Sequence, residues 1–112
     1  MKYVAPQPIT RAEADTELAS TDPDSVGRAL IRLALHDPDW LYVESVSLRF
    51  LHHAAPGVRC AACIALAHTV RLHRALHREI VEPLLRGLLS DPHVGGTAED
   101  TLDDIGIFLP KP

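Results

Sequence analysis

Apolar side chains recur every three or four positions from about residue 25 to residue 109. This spacing places them on one face of an α-helix, whereas a strand would alternate apolar and polar residues. Five such stripes can be distinguished, and each predicts one helix with a buried face. The stripes are Val26, Ala29, Leu30 and Leu33; Trp40, Val43, Val46, Phe50 and Leu51; Val58, Ala61, Ala62, Ala65, Leu66, Thr69 and Leu72; Ile80, Val81, Leu84, Leu85, Leu88 and Leu89; and Val94, Thr97, Ala98, Thr101, Leu102, Ile105 and Phe108.

Proline-containing turns separate these stripes. Before the second stripe, Asp37 is a good N-cap and Pro38 suits the first helical position. Pro83 falls inside the fourth stripe, where a proline removes a backbone hydrogen bond, so we expect it in the first turn of that helix or at a kink. The third stripe is rich in alanine, which predicts close packing against neighbours and a central position. A polar connection rich in Arg and His, over residues 71–78, is expected to follow it.

The first 24 residues have a different character. They contain three prolines, and Thr10 and Glu13 have the spacing of a capping box, in which each side chain bonds the other residue's backbone. We therefore predict an N-terminal arm with a short helix over residues 1–24, followed by a helical domain over residues 25–109.

The turns before the second, third and fifth stripes can be aligned on their prolines. Pro38 and Pro56 are 18 residues apart, the length of a single helix with its turn, and Pro56 and Pro92 are 36 residues apart. A period of 36 residues is typical of one helix pair in an α-solenoid. The alignment therefore predicts a repeat protein.

The residues of two of these turns resemble the HEAT family of helical repeats. Ala55–Leu66 is similar to the pattern D-P-x-V-R-x-x-A-x-x-A-L of a second HEAT helix, with Ala55 in place of Asp. Leu84–Val94 resembles the end of a first helix and the turn into its second, but Gly95 stands where Arg is usual. The resemblance covers roughly residues 25–109 and implies an all-α, right-handed solenoid of five helices plus the N-terminal arm.

The same resemblance implies one specific contact and one functional class. In the family, the turn Asp and the Arg that follows Val commonly bond between adjacent repeats, which makes Arg59 and Asp91 a candidate pair. The order of motifs also resembles a group of small bacterial HEAT-like proteins, some of which serve as immunity partners of secreted toxins. This resemblance implies a protein-binding module and not an enzyme, and motifs of this kind specify fold better than function.

Composition narrows the class of protein. A chain of 112 residues with 46% hydrophobic and 23% charged residues suits a single domain, and one Trp, two Tyr and two Phe leave the core to small aliphatic residues. No apolar run approaches the ~20 residues needed to cross a bilayer, and the N-terminus does not resemble a secretory signal. Two cysteines cannot form a disulfide framework. We expect a cytoplasmic protein that does not bind membranes.

The formal charge of −4 is unevenly distributed. Residues 1–44, 45–78 and 79–112 carry −4, +5 and −5 respectively. Because the whole chain is weakly acidic, general nucleic-acid binding is not expected, although the basic middle segment remains an alternative site for an anion or a nucleic acid. The residues of that alternative are Arg49, Arg59, Arg71, Arg74 and Arg78.

Four carboxylates form the most suggestive charged cluster, opposite the apolar stripe of the last helix. Like charges at i, i+4 destabilise an isolated helix by roughly 0.2–0.5 kcal/mol a pair, so the cluster does not serve helix stability. It is either the solvated face of a capping helix, a partner for the arginines of this chain, or a patch that docks on a basic partner such as the nucleic-acid groove of a nuclease. We predict the last role for Glu99, Asp100, Asp103 and Asp104.

Other candidate chemistry is weaker. Cys60 and Cys63 have C-x-x-C spacing but lie inside a predicted helix without a preceding strand, which favours a packing role over a redox role. Five histidines lie between residues 52 and 77, so a metal site shared with the cysteines is a lesser alternative. Nucleotide-binding, hydrolase and zinc-protease motifs are absent from the sequence. We therefore expect no catalytic residues, no bound metal and no cofactor.

Overall fold

The computed structural model describes residues 4–110, which fold into six helices without a strand. This confirms the all-α class and the arrangement of five main helices after a short N-terminal one. Residues 1–3 of the predicted arm lie outside the described residues. The helices are α1 (Arg11–Leu18), α2 (Pro23–His36), α3 (Trp40–Phe50), α4 (Pro56–His73), α5 (Arg78–Arg86) and α6 (Gly95–Phe108).

The start of α1 follows the sequence signal closely. The Thr10 hydroxyl accepts a hydrogen bond from the Glu13 backbone N–H, and the Glu13 carboxylate accepts one from the Thr10 backbone N–H. The predicted capping box is therefore confirmed. Helix α2 begins at Pro23 after the N-cap Asp22, two residues before the first stripe was expected to start.

The N-cap of α3 differs from the prediction. Asp39, not Asp37, accepts a hydrogen bond from the Tyr42 backbone N–H, so Pro38 precedes the cap instead of opening the helix. The Asp37 carboxylate instead accepts the Asp39 backbone N–H, and the Arg11 guanidinium pairs with both carboxylates, at 3.1 and 3.2 Å. Asp39 caps the helix because it immediately precedes Trp40, the first residue of α3.

Helices α2, α4 and α6 pack side by side with α4 in the middle, while α1, α3 and α5 contact α2, α4 and α6 respectively. This confirms the central position of the alanine-rich helix. Small residues permit the close approach of α2 and α4, since a Cβ built on Gly27 would lie 3.5 Å from the Ala61 Cβ. Ala14 and Leu18 of α1 belong to the same hydrophobic core as the other helices.

Some details of the buried stripes were wrong. Helix α4 continues to His73, so Arg71 belongs to its last turn and not to a connection. Leu72 is 56% exposed, Ile80 48% and Leu89 42%; Leu72 and Ile80 lie in the last and first turns of their helices, and Leu89 lies in the turn after α5. No helix among residues 4–110 is long and apolar enough to cross a membrane.

The chain reverses tightly between α5 and α6. Pro83 lies in the second turn of α5 and not in the first, and the helix ends three residues later at Arg86. Gly95, which stands where the HEAT pattern has Arg, opens α6 directly against the preceding turn. A Cβ built on Gly95 would lie 2.4 Å from the Leu89 carbonyl oxygen, so a side chain does not fit there.

Candidate interaction surface

The predicted acidic residues lie on α6, whose orientation is fixed by the buried side chains of Ala98, Thr101 and Ile105. The Thr101 hydroxyl donates to the Cys63 carbonyl at 2.9 Å, which ties α6 to α4 at its middle. Three of the four carboxylate residues are exposed and the fourth is half-buried. Among residues 4–110, none of the four forms an ion pair within 4.0 Å. They are Glu99, Asp100, Asp103 and Asp104.

The structure divides this cluster into two pairs. Glu99 and Asp103 face α5, where they line a shallow recess with Arg86 and Leu89. Asp100 and Asp104 line a different groove, towards α4. The four carboxylates therefore border two grooves, because Glu99 and Asp103 lie at one end of the polar arc of α6 and Asp100 and Asp104 at the other.

Asp100 and Asp104 form one wall of a groove between α6 and α4. The groove has a volume of about 240 Å³, and Ile64, His68 and Arg71 of α4 line its other side. His68 contacts the Arg71 guanidinium, and burial lowers the pKa of His68, so its imidazole is neutral at pH 7. Arg71 is therefore the cation nearest this pair of carboxylates on α4.

A second, more apolar groove lies on the other side of α4. It has a volume of about 380 Å³ between α2 and α4 and is lined chiefly by aliphatic side chains, with Ile64 shared between the two grooves. The N-terminal segment closes one end, since Arg32 donates to the carbonyls of Gln7 and Pro8 at 2.8 and 2.9 Å. The sequence patterns did not reveal this groove, because it depends on the spacing between two helices.

Two of the candidate anion-binding arginines are engaged in intramolecular contacts. Arg59 pairs with Asp91 at 3.1 Å, and it also donates to the carbonyls of His53 and Ala54. This confirms Arg59 and Asp91 as a pair. Arg78 pairs with Glu82 and donates to the carbonyl of Leu109, the C-cap of α6.

Two of the remaining three arginines pack over aromatic rings. The guanidinium groups of Arg49 and Arg74 lie over the rings of Phe50 and Phe108, respectively. Arg71 lies twelve residues beyond Arg59 on α4, a distance of about 18 Å along the helix axis. The structure therefore does not gather the five arginines into one anion-binding patch.

The two cysteines lie in the seam between α4 and α6. Cys63 is fully buried, and burial raises the pKa of its thiol to about 12. Cys60 is half-buried and contacts the His93 carbonyl and the Thr97 hydroxyl. Within residues 4–110, no group of three His, Cys, Asp or Glu side chains is arranged to hold a metal ion.

One buried polar contact was missed by the sequence reasoning. The Glu44 side chain accepts hydrogen bonds from the backbone N–H and the Nδ1–H of His77, both at 2.6 Å, although the residue is only 4% exposed. This contact connects the start of α5 to α3. The sequence contains a signal for the burial of Glu44, because this residue shares the spacing of one helix face with Trp40, Ser47 and Leu51.

Comparison with known proteins gives one informative similarity. No protein-family model matches the chain, and no curated protein is significantly similar to it. A chain in the crystal structure of a CDI complex from Cupriavidus taiwanensis LMG 19424 is similar, with a TM-score of 0.85 and 29% sequence identity. The match covers 96% of this chain and 97% of that chain, so the two share their whole architecture and not a local motif.

Proposed function

We propose that this protein is an immunity-type inhibitor that binds a bacterial toxin domain without catalysis. The observation that carries the proposal is the similarity, over nearly the whole of both chains, to a chain of a CDI complex, which is a toxin–immunity system. At 29% identity the similarity supports the functional class, whereas the contact residues have to be argued from this chain itself.

The fold is suited to binding by surface contact. We propose that the helices form a short HEAT-like stack, in which the Arg59–Asp91 pair links the turn before α4 to the turn before α6. Stacks of this kind present long helix faces to a partner.

The acidic residues of α6 supply the proposed specificity. The carboxylates of Glu99, Asp100, Asp103 and Asp104 have no ion-pair partner among residues 4–110, so their charge is available to a partner. A toxin that acts on nucleic acid needs a basic groove for its substrate, and an acidic helix placed over that groove excludes the substrate. Opposite charges on the two surfaces also accelerate association, an effect that weakens as salt is raised.

Co-expression with the polypeptide encoded by the adjacent upstream gene tests the function. We expect the two polypeptides to co-purify and this protein to protect cells in which that polypeptide inhibits growth. If the purified upstream polypeptide does not bind wild-type protein, the immunity proposal is wrong.

Charge reversal tests the acidic surface separately. The double variant Asp103→Lys, Asp104→Lys should bind at least tenfold more weakly at low salt, because it replaces two attractive charges by repulsive ones. The matched control is Asp15→Lys, Glu17→Lys on α1, which changes the net charge equally and should bind like wild type. Equal affinity of the two double variants would exclude the acidic surface of α6 as the binding site.

A further inference from the structure

The row of α2, α4 and α6 presents a continuous surface that crosses both grooves. Ile64, 39% exposed on the middle helix, lines the groove towards α2 and the groove towards α6. The two grooves are therefore adjacent parts of one surface. We call the surface formed by their lining residues the row surface.

The centre of the row surface is apolar. Ile31 of α2 faces Ala61 and Ile64 of α4 across the larger groove, and Val4 and Pro6 of the N-terminal segment extend the same lining. Val4 is 74% exposed. Apolar concavities with a few polar groups at their rim are the usual form of a site that receives a partner's side chain.

The two edges of the row surface carry opposite charges. On the α2 side, Arg28 is exposed, and its guanidinium makes one hydrogen bond, to the Ser25 hydroxyl at 3.4 Å. On the α6 side, Asp100 and Asp104 line the second groove, with Arg71 on its α4 wall. A ligand that crosses from α2 to α6 therefore meets Arg28 first, then aliphatic side chains, and then Asp100 and Asp104 with Arg71 on the facing wall.

We infer that the row surface binds one segment of the toxin polypeptide, whose charge order is the reverse of its own. This inference rests on the proposed function and specifies the face that it uses. An acidic side chain of the segment lies at Arg28, an aliphatic side chain enters the groove beside Ile64, and a lysine or arginine lies between Asp100 and Asp104. Glu99 and Asp103, on the α5 side of the helix, add to the attraction between the two surfaces without contacting this segment.

The dimensions set the length of this segment. Neighbouring packed helices have axes about 8–10 Å apart, so the path from α2 to α6 is roughly 16–20 Å. An extended chain advances about 3.3 Å per residue, so about six residues span the row. A short surface segment of the toxin is sufficient, and its charge order fixes the direction in which it crosses.

Paired variants on matched positions test this assignment, with the purified upstream polypeptide as the probe. We expect Ile64→Asp and the double variant Asp100→Lys, Asp104→Lys each to raise the dissociation constant at least tenfold. The controls are Leu41→Asp, an exposed aliphatic residue of α3, and Asp15→Lys with Glu17→Lys on α1; each should remain within threefold of wild type. Thermal unfolding verifies that each variant is folded, and Ile64→Gln replaces Ile64→Asp if the latter is not.

The possible results separate a failure of this inference from a failure of the proposed function. If the wild type binds and the control variants lose as much affinity as the row-surface variants, the row surface is not the binding site, while the immunity function stands. If the wild type does not bind the upstream polypeptide, the proposed function fails together with this inference. Hydrogen exchange of the wild-type complex gives an independent readout, with protection expected over residues 60–71 and 97–104 and not over α5; protection confined to α5 would overturn the inference.

Discussion

The glycine that opens α6 gives a sharp test of how the last two helices pack. Two glycines, Gly95 and Gly96, stand next to each other at the start of this helix. A Cβ on Gly95 would lie 2.4 Å from the Leu89 carbonyl oxygen and 3.2 Å from its carbonyl carbon, whereas a Cβ on Gly96 meets nothing within 4 Å. Neither glycine has a positive φ, so the difference between them is one of packing alone.

The expected magnitudes follow from this geometry. In Gly95→Ala the contact involves backbone, which cannot rotate away, so overpacking should cost about 1–3 kcal/mol. Alanine in a helix is favoured over glycine by about 0.5–1 kcal/mol, because its unfolded chain has less conformational entropy to lose. The net loss in the free energy of unfolding of Gly95→Ala is therefore up to about 2 kcal/mol. In Gly96→Ala the added Cβ meets no other atom within 4 Å, so only the entropic advantage of alanine remains. This variant should therefore be more stable than wild type by about 0.5–1 kcal/mol.

Urea unfolding followed by circular dichroism measures both values, and thermal unfolding supports them. At this chain length about 1 kcal/mol shifts Tm by roughly 4 °C, so the two variants should move in opposite directions and differ by as much as about 12 °C. A Gly95→Ala protein as stable as Gly96→Ala would show that the turn after α5 does not pack against the start of α6 as described.

Three further predictions concern buried or paired groups. Glu44→Ala should lower the free energy of unfolding by about 2 kcal/mol, because it removes the partner of the His77 backbone N–H. The bond to Glu44 raises the pKa of His77, so the stabilisation that comes from the charged imidazole should be present below about pH 6.5 and lost as pH rises through that raised pKa. Denaturation of wild type and variant at about pH 6 and pH 9 measures this difference. Hydrogen bonds from the His93 backbone and Arg59 lower the pKa of Asp91, so wild type and Asp91→Asn should converge in Tm only as pH falls below about 3.8; a constant difference would contradict this. Burial raises the pKa of the Cys63 thiol to about 12, so iodoacetamide at pH 8 should label it only under denaturing conditions, as mass spectrometry reports.

The sequence patterns predicted much of the fold because the signals were local. A capping box needs two residues three positions apart, and Thr10 and Glu13 formed one. Stripe spacing likewise located the five main helices and the central place of α4. The N-cap of α3 was not predicted correctly, because Asp37 and Asp39 are both suitable capping residues beside Pro38 and the pattern does not show after which of them the helix begins.

The candidate site was harder to predict from the sequence, because its geometry depends on contacts between residues that are distant in the chain. The carboxylates on α6 were correctly placed on the polar side of the helix, but their division into two pairs depends on which helices lie on either side of α6. Glu44 had the spacing of a buried residue, yet its partner His77 is 33 residues away and lies in a turn. Contacts between turns and grooves between helices leave no periodic trace in the sequence.

The arrangement of charge on α6 bears on how binding and stability are coupled. Glu99 with Asp103, and Asp100 with Asp104, are like-charge pairs at i, i+4, each worth roughly 0.2–0.5 kcal/mol of destabilisation. Among residues 4–110 neither pair is offset by an ion pair within 4.0 Å, so the repulsion persists in the free protein. A cation placed between Asp100 and Asp104 relieves one repulsion and leaves the other. A basic partner bound on the row surface should therefore protect the amides of α6 from hydrogen exchange, and neutralising Glu99 and Asp103 should stabilise the free protein.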